Sequence, residues 1–205
     1  VEVMRTIGTR VRGIRTPIIK EGDDLVKIVV DSLLLAATED HFKIGDKDIV
    51  GITESLVAIA QGNFVTLDEI TKDLRKKFDT EEIGVVFPIL SRNRFAMILK
   101  AIARGFSRVS LLLSFPADEV GNTLMDQERM DEAGINPYTD LMTEQEYRQI
   151  FGEEVPHPFT GIDYVKMYKS LSVNGNIDIY LANDPREILK VTQSVLVTDV
   201  HGRQR

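Results

Sequence analysis

The chain has 205 residues, 43% of them hydrophobic, with a net charge of −7 at pH 7 and no cysteine. That length suits one large or two small globular domains with room for a core, and the charge argues against a nucleic-acid partner. Disulfides and thiolate sites are excluded, and no apolar run reaches the roughly 18 residues that span a bilayer.

The first residues, Val1 to Arg12, lack an apolar signal core, which fits a cytoplasmic location with no membrane partner. Val1 is not an initiator Met, and the chain stops five residues after Val200, so a piece of a longer protein is expected. Val3 to Ile14 reads as a long strand. Gly22 or Asp23 caps the next helix, Asp24 suits its dipole, and Leu25, Ile28, Val29, Ser32, Leu33 and Ala36 form its apolar stripe. Asp48 to Thr53 reads as a short buried strand. Glu54 to Ala60 follows as a helical turn or short helix closed by Gly62-Asn63. Thr66 and Glu69 make a capping box for a helix to about Phe78, with Leu67, Ile70, Leu74 and Phe78 inward.

Ile83 to Phe87 is strand-like. Ser91 to Arg104 is helix-like, with Phe95, Ile98, Leu99 and Ile102 on one face. Val109 to Ser114 has the Leu/Val richness of a strand covered on both sides. Pro116 to Pro137 is irregular, with a short helix at Asp126 to Glu132. Thr143 and Glu146 form a second capping box. A helix is expected over Thr160 to Leu171 and a strand over Asn176 to Ala182. Asp184-Pro185-Arg186-Glu187 is a helix start, and Ser194 to Val200 is a last strand. This alternation predicts an α/β fold: a mainly parallel or mixed sheet covered by helices, with an irregular insertion near residues 115–140. Residues 1–115 are expected to form a nucleotide-binding-like part, and 116–205 a second α/β part that continues beyond the chain end.

There is no GxxxxGK[ST] loop, GxGxxG fingerprint or HExxH. His41, His157 and His201 lie far apart, which leaves carboxylates as candidate metal ligands. Gly13 and Pro17 bracket Arg15 in a strand-to-helix turn, where peptide N–H groups beside a guanidinium can hold phosphate. The alternative is a plain loop with a surface arginine. Thr53-Glu54-Ser55 sits where a strand ends, the usual ligand position in open α/β sheets. Alternatively, Thr53 merely caps the next helix. Ser91-Arg92-Asn93-Arg94 places two arginines at a helix start, against the dipole. An anion would relieve that misfit, and so would pairing with Asp79, Glu81 or Glu82. His157, Thr160, Gly161 and Asp163 near one helix start, and Asp199 with His201 after the last strand, are either metal-facing or ordinary surface groups. The bend after the first strand and the tip of the second are expected to share a pocket for polyphosphate, lined by amides and guanidinium groups.

Pro17-Ile18-Ile19-Lys20-Glu21-Gly22-Asp23-Asp24-Leu25 resembles the opening of the coenzyme F420-0:γ-glutamyl ligase family. Thr53 to Gly62 resembles the family's next motif. Phe87 to Phe95 and Phe159 to Tyr164 look like a longer bacterial branch of it, represented here by its amino-terminal part. The resemblance implies a two-domain α/β homodimer and small-molecule substrates, L-glutamate and a carboxylate acceptor. It implies that GTP activates the acceptor as an acyl phosphate, with Mg2+ or Mn2+ bridging the phosphates. Carried over by motif, Thr16, Pro17, Ile18 and Ile19 form the nucleotide loop, and Glu54 and Ser55 a second contact. Ser55 and Ile59 stand where the family has lysines, so Arg15, Arg92 or Arg94 is expected to take over the phosphate. Otherwise the chain is a non-catalytic nucleotide- or anion-binding module, or a dimerisation module, derived from the family. Asp163 and Asp199 match the family's metal patterns superficially.

Overall fold

The computed structural model describes residues 8–198, and the chain forms two compact units that divide between Val65 and Thr66.

In the unit ending at Val65, α1 (Leu25–Glu39) begins one or two residues later than a cap at Asp23 or Gly22 would place it. Asp24 is its cap, accepting the Lys27 N–H at 3.0 Å. The stripe Leu25, Ile28, Val29, Ser32, Leu33 and Ala36 is half-buried as anticipated. The helix nevertheless also exposes Val26, Val30, Leu34 and Leu35. Two expected strands are corrected here. Gly8 to Ile14 carries no regular structure, and residues 3–7 of that expectation lie outside the described residues. Asp48 to Thr53 is likewise irregular, with Ile49 94% exposed rather than buried. A strand needs a neighbour to take its N–H and C=O groups, and the described residues of this unit supply none. α2 (Glu54–Ala60) is the short helix expected, ended by Gly62 at φ 68°.

The unit from Thr66 is the α/β fold itself. Its five-stranded sheet has the order β3-β4-β2-β1-β5, with β1 (Glu82–Val86), β2 (Arg108–Leu113), β3 (Met142–Thr143), β4 (Ile177–Leu181) and β5 (Val195–Val197). β1 pairs parallel with β2 and β5, and β2 parallel with β4, while β3 runs antiparallel to β4. Strands from both sides of residue 115 thus share one sheet.

Strand alternation sorts the core into two faces. Ile83, Val85, Val109, Leu111, Ile177 and Ile179 pack under the helices in the main cluster. Those helices are α3 (Leu67–Lys77), α4 (Phe95–Gly105), α6 (Glu144–Phe151) and α7 (Tyr164–Lys169), with α5 (Gln127–Glu132) in the irregular segment. Val86 and Leu112 point the other way, against Ile188 of the 3-10 helix Pro185–Lys190. That helix approaches so closely that a Cβ on Gly84 would lie 2.6 Å from Ile188 Cγ1.

Both capping boxes form, at Thr66/Glu69 and Thr143/Glu146. α4 starts at Phe95, one turn after Ser91, and Ile98 proves 40% exposed while Leu99 and Ile102 are buried. The helix expected from Thr160 starts at Tyr164, because Asp163 caps it. The helix expected after Asp184 is a 3-10 helix.

Candidate functional site

The Arg15–Ile19 loop is pinned at one end by Ile19, which is buried, while Arg15, Thr16, Pro17 and Ile18 are exposed. Its next turn is closed by Lys20 N–H donating to Asp23 Oδ2 at 2.7 Å. The Gly22 N–H then donates to Ala60 O at 3.0 Å, and Glu21 lies so near Gly62 that a Cβ there would be 2.6 Å from its Oε1. The two motifs therefore meet at the carboxyl end of α2. Glu54 and Ser55 are exposed at its amino end, about 10 Å away along a helix of this length. Thr53 is the N-cap residue, but its hydroxyl makes no capping bond. The strand-flanked pocket expected around Thr16 and Thr53 is corrected to this extent: neither strand forms among the described residues.

In the other unit, the carboxyl ends of the parallel strands gather the remaining features. β1 is left through Phe87, a non-glycine residue in the left-handed region at φ 52°, the kind of backbone outlier that clusters at functional sites. The Ser91 hydroxyl then accepts the Arg94 N–H at 3.0 Å and donates to Asn93 Oδ1 at 2.9 Å. Ser91 O accepts the Ala96 N–H at 3.1 Å. Ser91 therefore closes the turn ahead of α4, and the expected cap is corrected: the N-cap residue is Arg94, which makes no side-chain capping bond. Arg92, Asn93 and Arg94 are all exposed.

Neither arginine belongs to an ion pair among the described residues. Glu81, one of the partners considered for them, precedes the other end of β1. It accepts from Ser107 at 2.9 Å and Arg75 at 2.8 Å. Those bonds, Ser107 first, hold its carboxyl below the usual range. Two guanidinium groups therefore stand at a helix start without an ion-pair partner among the described residues, where the dipole disfavours them and an anion would be stabilised.

Three side chains support this region from segments distant in sequence, the buried Asp118 and Tyr168 and the exposed Asn183. Asp118, 8% exposed, accepts the Leu90 N–H at 2.8 Å. The Tyr168 hydroxyl accepts the Ser91 N–H at 2.8 Å, and burial pushes its own titration well above the ordinary tyrosine range. Asn183 clasps Phe115, accepting its N–H at 3.0 Å and donating to its carbonyl at 2.6 Å. These partners lie 28, 77 and 68 residues apart in sequence.

Asp163 is fully engaged by protein donors. Arg148 grips it with bonds of 2.6 and 3.0 Å, and the Val155 and Lys166 N–H groups each donate at 2.8 Å. His157 stays within its own loop, its Nδ1 accepting the Phe159 and Thr160 N–H groups at 3.2 and 3.3 Å. Asp199 lies outside the described residues. Among the described residues, no three His, Asp or Glu side chains are grouped to hold a metal.

A cavity of about 640 Å³ opens at the amino ends of the strands, lined by Glu81, Arg104, Arg108, Asn176 and Asp178 among others. Its arginines are already neutralised, Arg108 by Asp178 and Arg104 by Asp68, both at 3.1 Å. It offers no free charge to a polyphosphate.

A family model described as F420-0:gamma-glutamyl ligase matches residues 13–151. The chain belongs to that family. The match covers more than half of the 205 residues and takes in Arg15–Ile19, Glu54, Ser55 and Ser91–Arg94. No curated protein and no solved structure matches the chain. The family's ligase character implies small-molecule substrates. No helix among the described residues is long and apolar enough to cross a membrane.

Proposed function

We propose that this member of the F420-0:gamma-glutamyl ligase family joins L-glutamate to a carboxylate acceptor at the expense of GTP. The observation that carries the reading is the family match over 13–151, which spans every nucleotide-facing residue anticipated from sequence. In the proposed reaction the acceptor carboxylate attacks the γ-phosphorus, giving an acyl phosphate and GDP. The glutamate amine then displaces phosphate to form the amide. The Arg15–Ile19 loop with Glu54 and Ser55 serves the nucleotide in one unit. In the other, Arg92 and Arg94 hold an anionic group by charge, which their exposure and lack of ion-pair partners favour. Among the described residues no three His, Asp or Glu side chains are grouped as ligands for Mg2+ or Mn2+. The homodimer implied by the resemblance and the cytoplasmic location expected from the sequence belong to the same proposal.

A second reading, a nucleotide- or anion-binding module without ligase chemistry, is favoured by Ser55 and by Ile59, which is half-buried on α2. An apolar residue there serves packing and cannot neutralise phosphate. One assay separates the two: GDP release from GTP and Mg2+ with and without L-glutamate and an F420-0-type acceptor. Release that requires both co-substrates supports the ligase. Binding of GTP without turnover supports the module. Absence of both turnover and calorimetric binding up to about 1 mM removes both.

A further inference from the structure

We propose that Asp118 and Tyr168 are positioning residues for the arginine-bearing turn, fixing the direction in which Arg92 and Arg94 are presented. The inference rests on the anion role given to those arginines above.

Two successive peptide N–H groups, those of Leu90 and Ser91, leave β1 just before the turn. The first is taken by Asp118 and the second by Tyr168, each at 2.8 Å. Neither acceptor can drift. The Asp118 carboxylate also accepts the Val120 and Asn122 N–H groups at 3.1 and 2.8 Å and the Asn122 amide at 2.8 Å. Tyr168 is fully buried, its ring edge-on to Phe95 with centroids 5.3 Å apart. Phe95 is the first residue of α4 and is itself buried. The turn is therefore held immediately before Arg92 and immediately after Arg94, and only the segment between is exposed.

Burying a carboxylate without a cation is costly, and Asp118 makes no ion pair among the described residues. Its cost is met by four neutral N–H donors converging on one group, one of which is the entry to the turn. Because the Leu90 and Ser91 N–H groups are consumed, a ligand here is met by guanidinium charge and not by those amides. Recognition should accordingly be salt-sensitive.

The decisive variants are Tyr168→Phe, which keeps the ring and removes only the hydroxyl, and Asp118→Asn. Calorimetry with GTP plus Mg2+ and with inorganic pyrophosphate on the full chain is read beside the melting temperature and amide exchange at Ser91. In Tyr168→Phe, Ser91 exchange should speed up and both probes should bind roughly three- to tenfold more weakly, the range of one hydrogen bond. The melting temperature should move by only a few degrees, about what one such bond is worth. Asp118→Asn should weaken binding at least as much. If it fails to fold, Tyr168→Phe decides alone. Faster Ser91 exchange with unchanged affinity for both probes overturns the positioning role and leaves the nucleotide reading standing. A parent protein that binds neither probe overturns both.

Discussion

Asp163→Asn is the sharpest test of how the unit from Thr66 is held together. The Arg148 and Asp163 side chains are 12% and 8% exposed, so their ion pair is nearly shielded from water. The substitution removes the charge and sets an amide NH2 among the donors of Arg148 and Val155, leaving the guanidinium buried and unpaired. Breaking one side of such a pair costs about 3–5 kcal/mol. The surviving oxygen can still cap α7 through the Lys166 N–H, which returns about 1 kcal/mol. A net loss of about 3 kcal/mol is expected. In urea, with a slope of about 2 kcal/mol per molar, the midpoint should fall by about 1.5 M. Burial alone would raise the Asp163 carboxyl, but the bonds from Arg148, Lys166 and Val155 outweigh it and hold it below the usual range. Its stabilisation is therefore complete above the unfolded value of about 3.9 and is lost as pH falls through the lower native value. The advantage of the parent over the variant should persist at neutral pH and shrink below about pH 4. A midpoint within about 0.3 M of the parent at pH 7 would refute the reasoning. A stable variant that has lost Mg2+ binding would instead make Asp163 the metal ligand that the resemblance implies.

Other perturbations probe separate regions. Gly84→Ala should destabilise by about 1–3 kcal/mol in urea melts, the usual range for overpacking. Its new methyl meets Ile188 and Thr192 side chains at 2.6 and 2.9 Å. An unchanged midpoint would mean that the 3-10 helix moves aside freely. Arg92→Ala and Arg94→Ala, alone and together, should leave the melting temperature nearly unchanged, because both side chains are exposed and surface changes of this kind stay within about 0.5 kcal/mol. They should weaken GTP and pyrophosphate binding and flatten its salt dependence. Full-strength binding by the double variant would remove these arginines from the proposed site.

What could be read in the sequence was local. Thr66 with Glu69, Thr143 with Glu146 and Asp126 each announce a helix start within three residues, and each forms. The Leu/Val-rich run ending at Leu113 announces a covered strand, and β2 lies at the centre of the sheet. Ser91 announces only the turn ahead of the helix, whose N-cap residue is Arg94. The expected strand at Asp48 to Thr53 had the same apolar character but found no neighbour among the described residues of its unit. Apolar character alone does not make a strand when the ladder bonds must come from elsewhere.

The sequence by itself determined the α/β class, the capped helices and membership of the F420-0:gamma-glutamyl ligase family. The capped helices are carried by patterns a few residues long whose energetics act within a single turn, while the class follows from the alternation of elements and the membership from a match over residues 13–151. Only the tertiary structure decided what the charged groups do. Folding closes Asp163 onto Arg148, Asp118 onto Leu90 and Glu81 onto Arg75, and leaves Arg92 and Arg94 exposed, without an ion pair among the described residues. Whether a charge is spent on a neighbour or kept for a ligand depends on which distant segments the sheet brings within about 3 Å of it, a distance that spacing along the chain does not encode.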